Sequence, residues 1–425
     1  MIIKKTYPTT SKGWMKYLSI DNYYTPKEIE YRKKLIIESG CNYDEIYQKI
    51  LKYRSKFTKK LINLQNDDFY FVETHIMKEA VEKIKQFWRS SPYSFKENYK
   101  KELIFDTLIS EAFHSSSIEG AHSTKKRTEE IVKNHLTPKD KSERMILNNY
   151  KALEYIFENQ EAELSDEFIL FLHKMITDGT LDDLNDEGVF RDDGVDITTA
   201  TQKIIFRPTS NIERMTKMFN QLCIFVNSKN DDYENDYIEQ IYKIISFHFL
   251  YGYIHPHFDG NGRTIRVLFT HLLGQNGFDM FYYISLSEII HLSEKRKKEY
   301  EKAFIDVEDN KLDLTYFIYY ILDVMIEALQ LLDDRVFLYF RESIILDKVK
   351  DSKIKLTNRQ EGVLKTIARN KTAYAMTSKE VSKKFKLSPQ TILKDIKFLI
   401  DFKFLRKKRT GLKIYYELDI DVNRN

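Results

Sequence analysis

The residues best suited to chemistry lie in one short segment, Ile254 to Arg266, which reads Ile-His-Pro-His-Phe-Asp-Gly-Asn-Gly-Arg-Thr-Ile-Arg. His255 has a reference pKa of about 6.5, so it is able to accept a proton from a hydroxyl group near neutral pH. Asp259 offers the oxygen ligands that Mg²⁺ prefers. The segment therefore predicts a general base at His255 and a magnesium ion at Asp259.

The rest of the segment predicts a phosphate site. Gly260 and Gly262 are expected to adopt positive φ values, so that backbone N–H groups converge at a helix N-terminus, where phosphate binds. Arg263 and Arg266 are three positions apart and share a helix face. The loop and the two arginines therefore form an anion site with cationic walls that suits phosphate groups.

Two other interpretations fit parts of this segment. It could be a helix-capping loop whose polar groups are all satisfied, and His255, His257 and Asp259 taken alone could bind a transition metal. The adjoining glycines and arginines favour the phosphate site over both.

This combination resembles the signature of the Fic family, His-x-Phe-x-Asp/Glu-Gly-Asn-Gly-Arg-x-x-Arg. The resemblance covers roughly residues 105 to 310. It implies transfer of AMP from ATP to a Tyr, Thr or Ser hydroxyl of a target protein or of the chain itself. The ATP-binding residues that the resemblance implies are Gly260, Asn261, Gly262, Arg263, Thr264, Ile265 and Arg266. The chain departs from the signature at His257, where the family has a buried phenylalanine, and we expect His257 to be less buried and the loop less rigid.

A second segment, Ser115-Ser-Ser-Ile-Glu119-Gly120, resembles the inhibitory motif of the same family. A carboxylate at Glu119 that paired with Arg266 would occupy the cation that otherwise meets the γ-phosphate. Alone, such a segment is more typical of a helix end with a solvated glutamate. Together with the downstream signature, it predicts autoinhibition by Glu119 with Ser115 and Gly120.

Residues 195–206 predict a β-hairpin around a polar Thr-Ala-Thr-Gln turn. The hairpin resembles the flap that holds the target segment in the family by adding a strand, although a plain surface hairpin would have the same pattern. Its flap residues would be Val195, Ile197, Ile204 and Phe206. The remaining histidines, among them His173, show no spacing that suggests a role.

Helices must position these segments. Apolar residues at helical spacing predict a mainly α fold: an N-terminal helical region (1–100), a Fic catalytic domain (101–345) with its β-hairpin flap, and a C-terminal winged helix-turn-helix domain (355–425). Apolar residues on two faces between Tyr237 and Phe249 predict a helix that is apolar nearly all round and so lies in the middle of a bundle. The polar run 348–355 is the expected linker.

Composition indicates a soluble protein in a reducing, cytoplasmic setting. Hydrophobic residues make up 42 % of the chain and charged residues 31 %, as in soluble domains. No run approaches the roughly 20 apolar residues of a membrane span, the N-terminus lacks a secretory signal, and two cysteines are too few for a disulfide framework.

The C-terminal residues are basic, with 19 Lys and Arg against 8 Asp and Glu in residues 351–425, although the whole chain has a net charge of only +4. The pattern of three helices and a two-stranded wing resembles a winged helix. On its third helix, inward Ile392, Ile396 and Leu399 leave four residues to face DNA: Gln390, Thr391, Lys394 and Lys397. A protein contact or dimerisation is the alternative.

The sequence thus predicts a protein adenylyltransferase that uses ATP and Mg²⁺ and is restrained by Glu119, with no membrane contact and with homodimerisation as a family property. The alternatives are removal of AMP, transfer of another phosphate-containing group, and a DNA-binding regulator whose Fic body senses nucleotide without catalysis.

Overall fold

The computed structural model describes residues 23, 25–38, 40–90, 97–198, 204–228, 236–370 and 375–420. Helices account for 66 % of the residues, which confirms the mainly α fold class. The tip of the predicted flap, residues 199–203, lies outside the described part of the chain.

Packing divides the chain into two compact units, Met1–Leu329 and Gln330–Asn425. The division falls inside a long helix, whereas the sequence placed a boundary in the polar run 348–355. The three-domain division itself stays a prediction.

The first unit begins with short helices and an antiparallel hairpin. These elements are α1 (Pro26–Tyr31), α2 (Lys33–Glu38), α3 (Tyr43–Arg54), β1 (Thr58–Leu64), β2 (Asp67–Val72) and α4 (His75–Ser90). The hairpin corrects the prediction that residues 1–100 are helical. Its turn residues Gln65 and Asn66 both have positive φ, at 50° and 77°, as a tight hairpin turn requires.

The helical body of the first unit carries the predicted site. Its elements are α5 (Glu97–Ile118), α6 (Lys125–Lys133), α7 (Lys141–Glu158), α8 (Asp166–Thr177), β3 (Ile197–Thr198), β4 (Ile204–Phe206), α9 (Ile212–Asn227), α10 (Asp236–Ile254), α11 (Asn261–Gln275), α12 (Leu286–Ile290) and α13 (Glu294–Glu308). The predicted hairpin at the flap is therefore present, with shorter strands than expected.

Helix α10 forms the centre of this body, as predicted. Every residue from 241 to 250 is buried, since a helix that is apolar on all sides must be enclosed. The N-terminal hairpin packs against it: the ring of Phe69 lies edge-on to Phe249 and Tyr253, with centroids 6.2 and 5.2 Å away. The C-terminal end of α10 leads directly into His255.

Helix α14 (Thr315–Asp351) contains the division between the units. By length and composition it could cross a membrane, but 78 % of its most apolar stretch is buried in the protein, as in the core helix of a soluble protein. The predicted linker begins inside this helix, because Ile345, Leu346 and Val349 pack into the core of the second unit.

The second unit has the element order that the sequence predicts for a winged helix. After α14 come α15 (Asn358–Ala368), β5 (Ala375–Met376), α16 (Ser378–Phe385), α17 (Pro389–Asp401), β6 (Leu405–Thr410) and β7 (Lys413–Leu418). The strands form an antiparallel sheet in the order β5-β7-β6. Only the short strand β5 was missed.

Candidate active site

The loop between α10 and α11 leaves the N-terminus of α11 open to an anion. Gly260 precedes the helix with φ of 80°, as predicted, and no side chain caps the first turn. A Cβ atom at Gly260 would lie 2.6 Å from Thr177 Cγ2 and 3.0 Å from His173 Nε2. Glycine is therefore required both by conformation and by space, and its lack of a side chain leaves first-turn N–H groups available.

Gly262 serves a different purpose from the one predicted. It lies within α11 and is not among the described glycines with positive φ. A Cβ atom there would lie 2.1 Å from Glu119 Oε1. The missing side chain thus makes room for a carboxylate directly over the first turn of α11, at the place where an anion meets helix N–H groups.

Asn261 fixes the shape of the loop. Its side-chain nitrogen donates to the carbonyl oxygen of His257 at 2.8 Å, and its Oδ1 accepts from the backbone N–H of His257 at 3.1 Å. This reciprocal pair accounts for an amide at position 261, whose side chain is buried.

His257 corrects the expectation of a less buried, looser loop. Its side chain is fully buried, Nδ1–H donates to the carbonyl of Val189 at 2.7 Å, and Nε2 accepts from the Tyr251 hydroxyl at 3.0 Å. Burial, with the neighbouring His173 adding to it, lowers its pKa well below the ordinary value. A neutral imidazole here packs as an aromatic ring and has both nitrogens satisfied.

His173, to which the sequence gave no role, stacks on His257 with ring centroids 3.7 Å apart and 7° between planes. Its Nε2–H donates to the carbonyl of Asp259 at 2.8 Å, and its Nδ1 accepts from the N–H of Gly188 at 3.1 Å. Burial lowers its pKa to about 4. His173 is thus a neutral residue that positions the loop, and no local sequence pattern reveals it.

His255, the residue predicted to be the base, has a neutral imidazole ring at the end of helix α10. It has φ of 51°, an uncommon conformation for a residue other than glycine, and follows directly on helix α10. Its Nδ1 lies 3.3 Å from the carbonyl of Gly252; since a carbonyl only accepts, Nδ1 carries the proton and Nε2 keeps its lone pair. Burial lowers its pKa to about 4, so the ring is neutral at pH 7.

Arg191 joins the flap to His255. Its side chain is 1 % exposed. The guanidinium donates to the carbonyls of His255 at 2.8 Å, Asp193 at 2.7 Å and Thr209 at 2.7 Å. Asp193 precedes β3 and Thr209 follows β4, so one buried fork holds both ends of the hairpin and the residue predicted to be the base.

The predicted flap residues form a short antiparallel pair. Ile197 pairs with Phe206 and Thr198 with Ile204, whereas Val195 precedes the strand. Ile204 is exposed, and the Phe206 ring packs on Tyr253 at 5.1 Å.

Arg266 makes the ion pair that the sequence predicts. Its Nη2 lies 2.9 Å from Glu119 Oε1, and it also donates to the Ser115 carbonyl at 2.9 Å. Nε donates to Ser115 Oγ at 2.9 Å. Burial would raise the pKa of Glu119, but the charge and hydrogen bond of Arg266, together with the charges of Arg263 and Lys297, outweigh burial. The pKa of Glu119 is therefore lowered and its carboxyl group is ionised.

Glu119 lies at the C-terminal end of α5, just past its last residue. The N–H of Ala121 donates to the carbonyl of Ser116 at 3.0 Å, and the N–H of Gly120 donates to the carbonyl of Ser117 at 3.1 Å. Gly120 has φ of 88°. This is a Schellman C-cap, which explains the glycine. A carboxylate is disfavoured at a helix C-terminus, and Arg266 offsets that cost.

The other predicted ATP contacts are buried. Thr264 is 0 % and Ile265 3 % exposed, so their side chains form core and offer a nucleotide no surface. Arg263 is 1 % exposed, with Nη1 donating to the Ile176 carbonyl at 3.0 Å and Nε unpartnered among the described residues. It supplies positive charge from beneath the loop.

Asp259 suits a magnesium ion that arrives with a nucleotide. Its carboxylate is exposed and accepts from the N–H of Gly260. Within the described residues no group of three His, Cys, Asp or Glu side chains forms a cage. Mg²⁺ is usually bound by one or two carboxylates together with phosphate oxygens and water, so a single exposed carboxylate beside an anion site fits this ion.

Comparison with known proteins finds a similar family and similar folds. Residues 163–273 match the Fic/DOC family, whereas no curated protein sequence matches the chain. The structure is similar to a Fic family protein from Desulfovibrio desulfuricans G20, with a TM-score of 0.54 and 16 % identity over 83 % of this chain and 99 % of that one. It is also similar to Fic-1 from C. elegans, with a TM-score of 0.50 and 16 % identity over 77 % of this chain and 88 % of that one.

These structural similarities concern the fold. The Fic family is known for transferring nucleotide- or phosphate-containing groups to proteins. The loop from His255 to Arg266 lies inside the matched residues, and Ser115 to Gly120 lies upstream of them. Residues 163–273 are therefore identified as a Fic/DOC family domain.

Proposed function

We propose that the chain is a protein adenylyltransferase that transfers AMP from ATP to a hydroxyl group of a target protein or of itself, and that Glu119 restrains it. The observation that carries the proposal is the open N-terminus of α11, beside a neutral His255 and beneath a carboxylate that pairs with Arg266. Such an N-terminus favours phosphate.

In the proposed reaction, Nε2 of His255 accepts the proton of the target hydroxyl as its oxygen bonds to the α-phosphorus. The bond from that phosphorus to the bridging oxygen breaks, and pyrophosphate leaves. First-turn N–H groups of α11 face the charge on the phosphate oxygens. Asp259 would hold Mg²⁺, which neutralises phosphate charge when bound. The pair β3 and β4 would hold the target segment by adding a strand.

Glu119 would act by competing with phosphate. Its carboxylate lies where a Cβ atom of Gly262 would be and engages the donors of Arg266. An ATP γ-phosphate that needs this arginine must displace the carboxylate or bind in a non-productive pose.

Incubation with ATP labelled at the α-phosphate tests the proposal. Glu119→Gly should incorporate at least about tenfold more label than wild type, since about 1.4 kcal/mol of lost competition corresponds to a factor of ten. Glu163→Gly, which removes an exposed loop carboxylate, should match wild type, and adding His255→Ala to Glu119→Gly should abolish labelling.

Two results would contradict the proposal. If no variant incorporates α-phosphate label from ATP into any protein, but a group is transferred to protein from an ADP- or CDP-linked donor, the transferred group is not AMP. If ATP binds but no donor turns over, the Fic body senses nucleotide without catalysis.

A further inference from the structure

The second unit carries positive charge that its own acids do not neutralise. Between residues 379 and 413 the described, exposed cations that form no ion pair are Lys379, Lys383, Lys384, Lys386, Lys394, Lys397, Lys403, Lys407, Arg409 and Lys413. So many unpaired cations on one small unit create a field that attracts polyanions.

Most acids of this region are already engaged. Glu380 closes the capping box of α16 and accepts from the N–H of Thr377 at 2.7 Å. Asp395 is buried and paired with Arg359 at 2.6 Å. Glu417 pairs with Arg406 at 2.7 Å. Asp401 remains exposed, so the free cations far outnumber the free acids.

Helix α17 presents one polar, cationic face. Ile392, Ile396 and Leu399 are buried, as predicted. The exposed positions are Gln390, Leu393, Lys394, Lys397 and, at the last residue of the helix, Asp401. The first four have the spacing i, i+3, i+4 and i+7 of a single face, and the two cations lie at its centre while the single acid lies at its end.

Thr391 belongs to this face less than predicted. It is half-buried, and its hydroxyl lies 2.9 Å from the hydroxyl of Ser388, which caps the helix. Leu393, at 39 % exposed, takes its place. Gln and an apolar side chain are suited to adenine edges and thymine methyl groups, and Lys to phosphates.

The hairpin of β6 and β7 ends in an exposed tip. Gly411 has φ of 60°, and Leu412 is 97 % exposed between the cations Arg409 and Lys413. An exposed leucine flanked by unpaired cations suits contact with the phosphates and sugars of a nucleic-acid backbone.

We propose that the second unit binds duplex DNA, with the exposed face of α17 in the major groove and the tip of the β6–β7 hairpin on the adjacent backbone. The B-form major groove is about 12 Å wide and admits a helix, whereas the major groove of duplex RNA is too narrow to be read. Protein interfaces, in contrast, are depleted of lysine. The proposal is independent of the nucleotide transfer proposed above.

Fluorescence anisotropy of a labelled 30-base-pair duplex with the full chain tests this inference. Wild type should bind with an affinity that falls as salt rises. Lys394→Ala with Lys397→Ala should reduce the slope of log K against log salt by about 2, one for each lost phosphate contact. Lys394→Glu with Lys397→Glu should weaken binding at least about tenfold.

The matched control reverses two exposed charges in the first unit, Lys151→Glu with Lys298→Glu, and should bind like wild type. Equal Tm values for all variants would exclude unfolding as the cause. The inference is overturned if wild type does not bind the duplex at low salt, if the two charge-reversed proteins bind alike, or if the α17 substitutions change only self-association or binding to single strands.

Discussion

At the scale of single residues, the loop that bears His255 is held by a histidine that behaves as an aromatic ring. His257 stacks on His173 and gives both of its nitrogens to hydrogen bonds with Val189 and Tyr251. A phenylalanine would keep the stacking but leave the Val189 carbonyl and the Tyr251 hydroxyl without partners. The histidine therefore stabilises the loop only while it is neutral.

We expect His257→Phe to be less stable than wild type at pH 7.5 by about 1–3 kcal/mol, the cost of unsatisfied buried polar groups. The pKa of His257 lies well below its ordinary value because of burial. Below about pH 6.5 the unfolded wild type takes up a proton that the folded protein cannot, so wild type loses about 1.4 kcal/mol per pH unit relative to the variant. Urea unfolding at pH 7.5, 6.5 and 5.5 should show that the free energies of unfolding of wild type and His257→Phe become more similar as the pH falls. A difference that stays constant with pH would contradict the prediction.

Gly260 allows a second prediction at this scale, with a control elsewhere in the chain. Gly260 and Gly277 both have φ of 80°, but only at Gly260 would a Cβ atom meet neighbours, with nothing within 4 Å at Gly277. Gly277→Ala should cost about 1–2 kcal/mol from backbone strain alone. Gly260→Ala should cost more and also weaken ATP binding, as measured by thermal unfolding and calorimetry. Equal costs would show that the contacts with Thr177 and His173 adapt freely.

At the scale of elements, α10 and the hairpin of β1 and β2 depend on each other. Phe69 is 1 % exposed and lies against Phe249 and Tyr253, which precede His255 in the last two turns of α10. We expect Phe69→Ala to lower the free energy of unfolding by about 3–5 kcal/mol. Phe57→Ala, at a position that is 39 % exposed, should cost far less. A small effect of Phe69→Ala would mean that the hairpin is not part of the core.

Among the elements, those that depend on residues close together in the chain can be predicted from a single sequence, and those that depend on distant residues cannot. Helix α11, its glycine loop and the winged-helix order follow from local patterns, because each rests on residues close together in the chain. His173 escaped because its partner Asp259 lies 86 residues away and no spacing signal marks it. The hydrogen bond from Arg191 to the carbonyl of His255 spans 64 residues, and no local pattern marks that bond either. The β1–β2 hairpin lies between two stretches of helical spacing, around Ile29 to Ile36 and Ile76 to Phe87, and extending that spacing across the whole of residues 1–100 hides the hairpin.

At the scale of the whole molecule, helix α14 contributes its last turns to the core of the second compact unit. The second unit has its own core, which includes Ile345 of helix α14 together with Val363 and Phe404. Arg369 pairs with Glu342, and Arg341 donates to the Ala368 carbonyl at 3.0 Å. The last turns of α14 thus belong to the second unit.

The C-terminal domain has two candidate starting points, residue 330 from the packing and residue 355 from the sequence, and their stabilities should differ. We expect residues 330–425 to fold alone and unfold cooperatively. A fragment of residues 355–425, the boundary predicted from sequence, should be less stable by at least about 2 kcal/mol, since it lacks the fully buried Ile345 and the partner of Arg369. Denaturant unfolding followed by circular dichroism compares the two, and Ile345→Ala in the longer fragment should account for much of the difference. If the two fragments were equally stable, the last turns of α14 would not belong to the second unit.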